Sequence, residues 1–294
     1  MIGVPARLFV PSDARSPELA LKRTALETAL NGMGRTLVAY SGGVDSSFLL
    51  VEAHRVLGDG VVGVIARSAS LPEAELSAAL DLAAGLRIPV RIADTHEILR
   101  SAYRANAGDR CYHCKAELFE RLEAMAAEEG FSSLAYGAVT DDLGEVRPGM
   151  RAAAEFEVRA PLVESGLSKL EVRVLARAIG LPVWDKPQSA CLASRIPVGE
   201  EVTEAKLRQV ERAEEWIRER FGVQILRVRH HGAVARIEVA PREVGRMLEP
   251  ATLAELAEGL RPMGFERVEV DERGYRRPDP MPVLEREEGH GDSR

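Results

Sequence analysis

The sequence predicts an α/β chain, a doubly wound parallel sheet followed by a smaller C-terminal α+β unit. Three observations carry that expectation. Short apolar runs alternate with helical stretches from Pro17 to Gly137, and a glycine turn joins one such run to a helix start at Leu37–Ser47. Beyond Glu200 the pattern changes to a charged helix and then to strands of period two. The expected boundary therefore lies near Glu200, giving units of 1–199 and 200–277, with a Pro-, Glu- and Gly-rich tail at 278–294 expected to be disordered.

The elements follow in order. A helical pattern over Pro17–Asn31 leads into a strand at Thr36–Tyr40, and Asp45–Val56 is the helix behind the turn. Apolar strands at Val61–Ala66 and Ile88–Ala93 enclose an Ala/Leu-rich helix over Pro72–Gly85. Lys115–Glu129 gives a further helix and Leu134–Gly137 a further short strand. In open sheets of this kind ligands bind at the carboxyl ends of strands, where Ser41, Arg67, Asp94 and Gly137 fall. From Lys186 to Gly199 the alternation stops in a loop with Pro187, Pro197 and Gly199. Thr203–Phe221 is then a charged helix, and Gln224–His230 and Ala233–Val239 are strands turning at His231-Gly232. Helices over Pro241–Met247 and Leu253–Met263 and a strand at Glu266–Val270 complete the smaller unit.

Composition bounds the class. At 294 residues, with 46% hydrophobic and 29% charged residues, the chain is long enough for one large domain or two ordinary ones. No apolar run reaches the length needed to span a bilayer and no signal-type segment opens the chain, so a cytoplasmic protein is expected. A formal net charge of -7 argues against a broad nucleic-acid surface. The three cysteines, two in Cys111-Tyr112-His113-Cys114 and one at Cys191, suit metal binding or catalysis better than a structural disulfide in a reducing compartment.

Chemistry concentrates first at Ser41-Gly42-Gly43-Val44-Asp45-Ser46-Ser47. Glycines let backbone N–H groups approach an anion, and the helix that follows adds the positive end of its dipole. Ser41, Ser46 and Ser47 supply hydroxyls, Ala39 ends the strand ahead of them, and Asp45 can hold a magnesium ion already bound to phosphate. The Gly-Lys-Ser/Thr ending of the Walker loop is absent. This run resembles the signature of the PP-loop ATP pyrophosphatases, which split ATP between the α and β phosphates. The resemblance implies an adenylating enzyme on an adenine nucleotide α-hydrolase-like sheet.

Cys111 and Cys114 stand at a helix start beside Arg110 and Lys115, where dipole and charge favour thiolate. A pair of small buried residues, a zinc site that would need His113 as well, and a redox pair are other readings of the same spacing. Cys191 lies in the Lys186–Pro197 loop with small neighbours. Were that loop to fold back over the crevice, three thiolates would meet beside the nucleotide, an arrangement that suits a 4Fe-4S cluster with one iron open.

Taken together, Ser41–Ser47, Arg110–Lys115, Asp141-Asp142 with Arg147-Pro148-Gly149, Pro161-Leu162 with Lys169, and Cys191–Arg195 resemble the LarE family of ATP-dependent sulfur transferases. Arg227–Gly232, Ala235–Glu238 and Gly264-Phe265 to Tyr275-Arg276 extend the resemblance to about Arg277. It implies adenylation of the carboxylates of pyridinium-3,5-biscarboxylic acid mononucleotide and their conversion to thiocarboxylates, a step toward the nickel-pincer nucleotide of lactate racemase.

Some members of that family give up the sulfur of a single cysteine at the position of Cys191. Others carry the extra pair and a 4Fe-4S cluster, so Cys111 and Cys114 favour the cluster route, while Cys191 keeps the sacrificial one open. The resemblance also implies Lys169 for the β and γ phosphates, Asp142 for magnesium, and Arg195, Arg227, Arg229 and Glu238 for the substrate. Arg227 and Arg229 alternate on one strand and so share a face. A surface lysine, a capping aspartate, a structural ion pair and a solvated sheet face are the bland readings of the same residues. Expected partners are the pyridinium mononucleotide, a sulfur-donor protein and further copies of the chain, with neither nucleic acid nor membrane.

Val198 stands where the family has an aromatic residue after Ile196-Pro197, which puts a stacking contact with substrate in question. Arg277-Pro278-Asp279-Pro280 replaces a small, glycine-containing ending. Rival readings are a tRNA thiolase, an amide-forming synthetase of the GMP or NAD type, and a non-catalytic sensor.

Overall fold

The structure, a computed structural model, describes residues 16–144, 148–188 and 190–275. Expectations at Arg147, Arg276, Arg277 and the 278–294 tail lie outside the described residues.

The larger sheet has β1 (Thr36–Ala39), β2 (Val61–Arg67), β3 (Val90–Asp94) and β4 (Ser133–Tyr136), all parallel, in the order β3-β2-β1-β4. The order reverses between β1 and β4, the switch point beyond whose carboxyl strand ends open sheets of this kind bind ligands. Helices cover both faces, as the alternation predicts. Val38 packs on one face with Leu26 of α1 (Pro17–Asn31), Phe48 of α2 (Val44–Leu57) and Ala79 of α3 (Glu73–Leu86). Leu37 packs on the other with residues that follow α4 (Ser101–Ala105), namely Phe119 of α5 (Arg110–Glu129) and Ala152 of α6 (Pro148–Glu155). After α7 (Pro161–Glu164), Val172 and Leu175 of α8 (Lys169–Ala178) close the first face. Caps explain two of the helix starts: Ser16 accepts the Leu19 N–H at 3.1 Å, and Ser168 with Glu171 forms a reciprocal capping box.

The segment after Trp184 crosses to the second unit through a short 3-10 turn at Leu192–Arg195. There α9 (Glu204–Phe221) packs against β5 (Leu226–His231), which pairs antiparallel with β6 (Val234–Val239), and β6 pairs parallel with β7 (Arg267–Val270). Between them come α10 (Val244–Met247) and α11 (Pro250–Leu260). Leu226, Val228, Ile237 and Phe265 form the core of this unit.

Several boundaries differ from the sequence expectation. The fourth strand stops at Tyr136 because Gly137 leaves the ladder to pass the start of α2, where an added Cβ would lie 2.8 Å from the Ser46 nitrogen. The last helix begins at Pro250 rather than Leu253, a proline fitting the first turn, where no N–H is needed. The short helices α4, α6 and α7 were not foreseen, being too brief to show a periodic apolar face.

Candidate active site

The turn after β1 is braced by its own hydroxyls. Ser46 Oγ receives the Ser41 N–H at 3.2 Å, lies 3.0 Å from Ser41 Oγ and donates to the Gly43 carbonyl at 3.2 Å. Gly42 takes φ +68° and passes so close to α3 that a Cβ would sit 2.5 Å from Ala79 Cβ. Gly43 caps α2 without any side-chain hydrogen bond, so the first N–H groups of that helix remain open to an anion. Gly137 closes the opposite wall, and Ala39 stands half-buried at the end of β1.

Asp45 lies in the first turn of α2. One carboxylate oxygen forms an ion pair with Lys169, and the other is buried without a partner. Burial raises the Asp45 pKa, with Lys169 opposing and the nearby Asp142 carboxylate adding to the rise. Asp142 itself accepts the Val139 N–H at 3.0 Å, and Asp141 accepts the Lys169 N–H at 2.7 Å. Two carboxylates, an orphaned oxygen and the unpartnered Ser47 hydroxyl fit a hard divalent cation carried in on a triphosphate. Lys169 is thus held against the Asp45 carboxylate at the start of α2. Arg67 and Asp94, register partners at the ends of β2 and β3, bind one another instead, at 2.6 and 3.0 Å.

The thiols occupy the neighbouring wall. Cys111 is exposed and Cys114 half-buried in the first turns of α5, and Cys191 is half-buried where the 186–199 segment returns; all three are free. Cys114 and Cys191 pack on one apolar cluster with Tyr103, Leu192 and Ile196. Burial pushes the Cys114 thiol up, and the charges of Glu97, Cys191 and Cys111 push it further. Lys115, next in sequence, aims its ammonium at the ring of Tyr136 (4.7 Å to the centroid), and burial lowers its pKa. Among the described residues no three His, Cys, Asp or Glu side chains close on a single metal ion. A four-iron cluster is larger than one ion, and three free thiols that influence one another beside an orphaned buried carboxylate, Glu97, suit its donor set.

The returning segment is tied down at many points, none evident from sequence. Lys186 Nζ donates to Glu75 at 2.8 Å and to the Gly42 carbonyl at 3.3 Å, joining it to the glycine turn. Asn106, at φ +50°, donates to the carbonyls of Pro197 at 2.7 Å and Glu200 at 3.1 Å. The backbone N–H of Leu192 reaches the Ser70 carbonyl at 2.9 Å.

The substrate candidates divide. Arg195 is 1% exposed and its guanidinium is occupied by Glu214 at 2.8 and 3.0 Å and by the Cys191 carbonyl at 2.9 Å. That arrangement positions the Cys191 turn. Arg227 and Arg229 share one face of β5, on which Arg227 is buried and Arg229 half-buried. Arg227 donates to the Gln188 carbonyl at 3.2 Å, Arg229 to the Ser194 carbonyl at 2.8 Å. Glu238 pairs with Arg229 at 2.9 Å. Arg195, Arg229, Arg236 and Glu238 line a cleft of about 210 Å³ whose rim includes Pro197. Val198 is 72% exposed next to that rim.

A parallel sheet with an open helix N-terminus at its switch point and an acidic residue in the first turn agrees with the PP-loop ATP pyrophosphatase class that the Ser41–Ser47 run resembles. No protein-family model matches the chain. It is 42% identical over 243 residues to an uncharacterized protein of Synechocystis, covering 83% of this chain and 90% of that one. It is 34% identical over 259 residues to the pyridinium-3,5-bisthiocarboxylic acid mononucleotide synthase of Lactiplantibacillus plantarum, covering 88% and 93%. A tRNA-specific 2-thiouridylase of Azorhizobium caulinodans is 31% identical over 195 residues, about half of each chain (53% and 49%). The chain belongs to the LarE family, ATP-dependent sulfur transferases within the PP-loop superfamily.

Proposed function

We propose that the chain adenylates the carboxylates of pyridinium-3,5-biscarboxylic acid mononucleotide and converts them to thiocarboxylates, a step toward a nickel-pincer nucleotide cofactor. The observation that supports this best is the adjacency of two half-sites, the anion-binding turn at 41–47 and the wall of three free thiols, joined by the 186–199 segment. An amide-forming synthetase has no use for the second half.

In the proposed first step a substrate carboxylate oxygen attacks the α phosphorus of ATP, and the bond to the bridging oxygen breaks as pyrophosphate leaves with its electron pair. The open N–H groups of α2 and the ammonium of Lys169 stabilise the charge that develops on the leaving group. Asp45 and Asp142 would hold magnesium, which adds neutralising charge there. In the second step a sulfur nucleophile forms a C–S bond at the acyl carbon while the C–O bond to AMP breaks. Cys111, Cys114 and Cys191 would hold a 4Fe-4S cluster, which when bound offers an open iron able to carry sulfide. Arg227, Arg229 and Glu238 are proposed to border the mononucleotide, and Arg195 to hold the Cys191 turn in place. Lys115 places a cation between the two half-sites. We place the protein in the cytoplasm as a homo-oligomer supplied by a sulfur donor.

Asp45→Ala tests the adenylation half. It should abolish substrate-dependent pyrophosphate release while leaving the fold intact by circular dichroism. Unchanged release would remove Asp45 from the reaction.

A further inference from the structure

Glu97 is the acidic residue that the reaction above leaves unused. It opens the 3-10 turn Glu97–Leu99 after β3, is 1% exposed, and buries both carboxylate oxygens without a hydrogen-bond partner. A carboxylate in that condition is costly to keep charged, and a cation beside it would offset that cost.

Its neighbours show why it sits there. The His96 N–H and the Arg100 Nε both donate to Glu117, the latter at 2.8 Å. Glu117 lies one turn of α5 beyond Cys114 and so on the same helix face. Residues 96–100 are thereby laid along that face near Cys114, and Ile98, next to Glu97, packs in one cluster with Cys114, Cys191 and Tyr103. The polar groups that could have satisfied Glu97 are engaged elsewhere. Arg100 serves Glu117 and Glu120, and the Tyr103 hydroxyl shares a hydrogen bond with Ser70.

We propose that the Glu97 carboxylate is the fourth protein ligand of the cluster assigned to Cys111, Cys114 and Cys191, bound at the iron the three thiolates leave open. The inference rests on that cluster reading. Iron supplies positive charge without needing a hydrogen-bond donor, which this pocket lacks among the described residues. An oxygen ligand is harder than thiolate or sulfide and binds such iron less firmly. A carboxylate so bound would be open to exchange with sulfide, each ligand carrying its own electron pair, with no change in oxidation state.

The test uses anaerobically reconstituted protein loaded with 57Fe, comparing wild type with Glu97→Ala and Glu97→Gln by Mössbauer and EPR spectroscopy. In wild type one iron of the cluster should be spectroscopically distinct, and its signature should change in both variants. On mild oxidation the variants should lose that iron to the three-iron form about tenfold faster, the scale expected when a supporting ligand is removed. Folded variants with wild-type signature and wild-type rate of iron loss overturn the ligand assignment alone. A wild-type protein that holds no cluster overturns both the assignment and the reading it rests on. If the variants do not fold, 13C-glutamate labelling of wild type gives the same answer by infrared difference spectroscopy. A carboxylate band that shifts on cluster loading and again on adding sulfide supports the proposal, and an unmoved band overturns it.

Discussion

Gly137 and Glu214 make single-residue tests of how the site is built. An alanine at 137 would bring its Cβ to 2.8 Å from the Ser46 nitrogen and 2.9 Å from Ser46 Cα, both on backbone that cannot give way without moving the start of α2. Gly137→Ala should cost about 1–3 kcal/mol as overpacking. It should also raise the KM for ATP, measured by pyrophosphate release, because the displaced groups are the proposed phosphate ligands. Glu214 is 2% exposed and serves Arg195, Arg218 and the Val228 N–H. Burial alone would raise its pKa, but these partners prevail and hold it below the ordinary 4.5. Its contribution to stability is therefore complete above about that value and is lost as the pH falls through the lower folded-state value. Glu214→Gln leaves Arg195 buried without its counter-charge and should cost about 3 kcal/mol in urea unfolding at neutral pH. The same variant should flatten the acid limb of the stability profile.

At the scale of elements, the 186–199 segment is a strap whose position depends on a few polar clips. Asn106→Ala removes its hydrogen bonds to the half-buried Pro197 and Glu200 carbonyls and the one it accepts from Arg110 at 2.6 Å, at a cost of about 2 kcal/mol. Hydrogen exchange should show faster opening of 192–202 in this variant, with α2 unchanged. The elements differed in how far the sequence disclosed them. The glycine turn was legible because its chemistry is local: strand, small residues and helix start stand in one run. The parallel sheet was legible through its alternation of short apolar runs and helices. The strap was not, since its ties to Glu75, Asn106, Ser70 and Glu214 join residues far apart in sequence, each of an ordinary surface type. Arg195 read equally well as a phosphate ligand or an ion pair, and only the burial of Glu214 shows how its guanidinium is occupied. Glu97 gave no signal, because its burial arises from the docking of residues 96–100 on Glu117.

At the scale of the whole molecule, the proposed reaction draws on both sheets. The larger one presents an anion-binding turn and the first turns of α5, and the face of β5 bearing Arg227 and Arg229 covers the strap that carries Cys191. On the proposed mechanism activation and sulfur insertion share one region of the protein, which would hold a water-labile acyl adenylate next to its sulfur nucleophile. No helix among the described residues is long and apolar enough to cross a membrane. The most direct measurement is product stoichiometry under anaerobic conditions, with ATP, magnesium, the pyridinium biscarboxylate mononucleotide and added sulfide, followed by the intact mass of the protein. The account predicts several thiocarboxylates and as many AMP molecules per chain, with Cys191 unchanged in mass. A single turnover that leaves Cys191 short of one sulfur atom would contradict it.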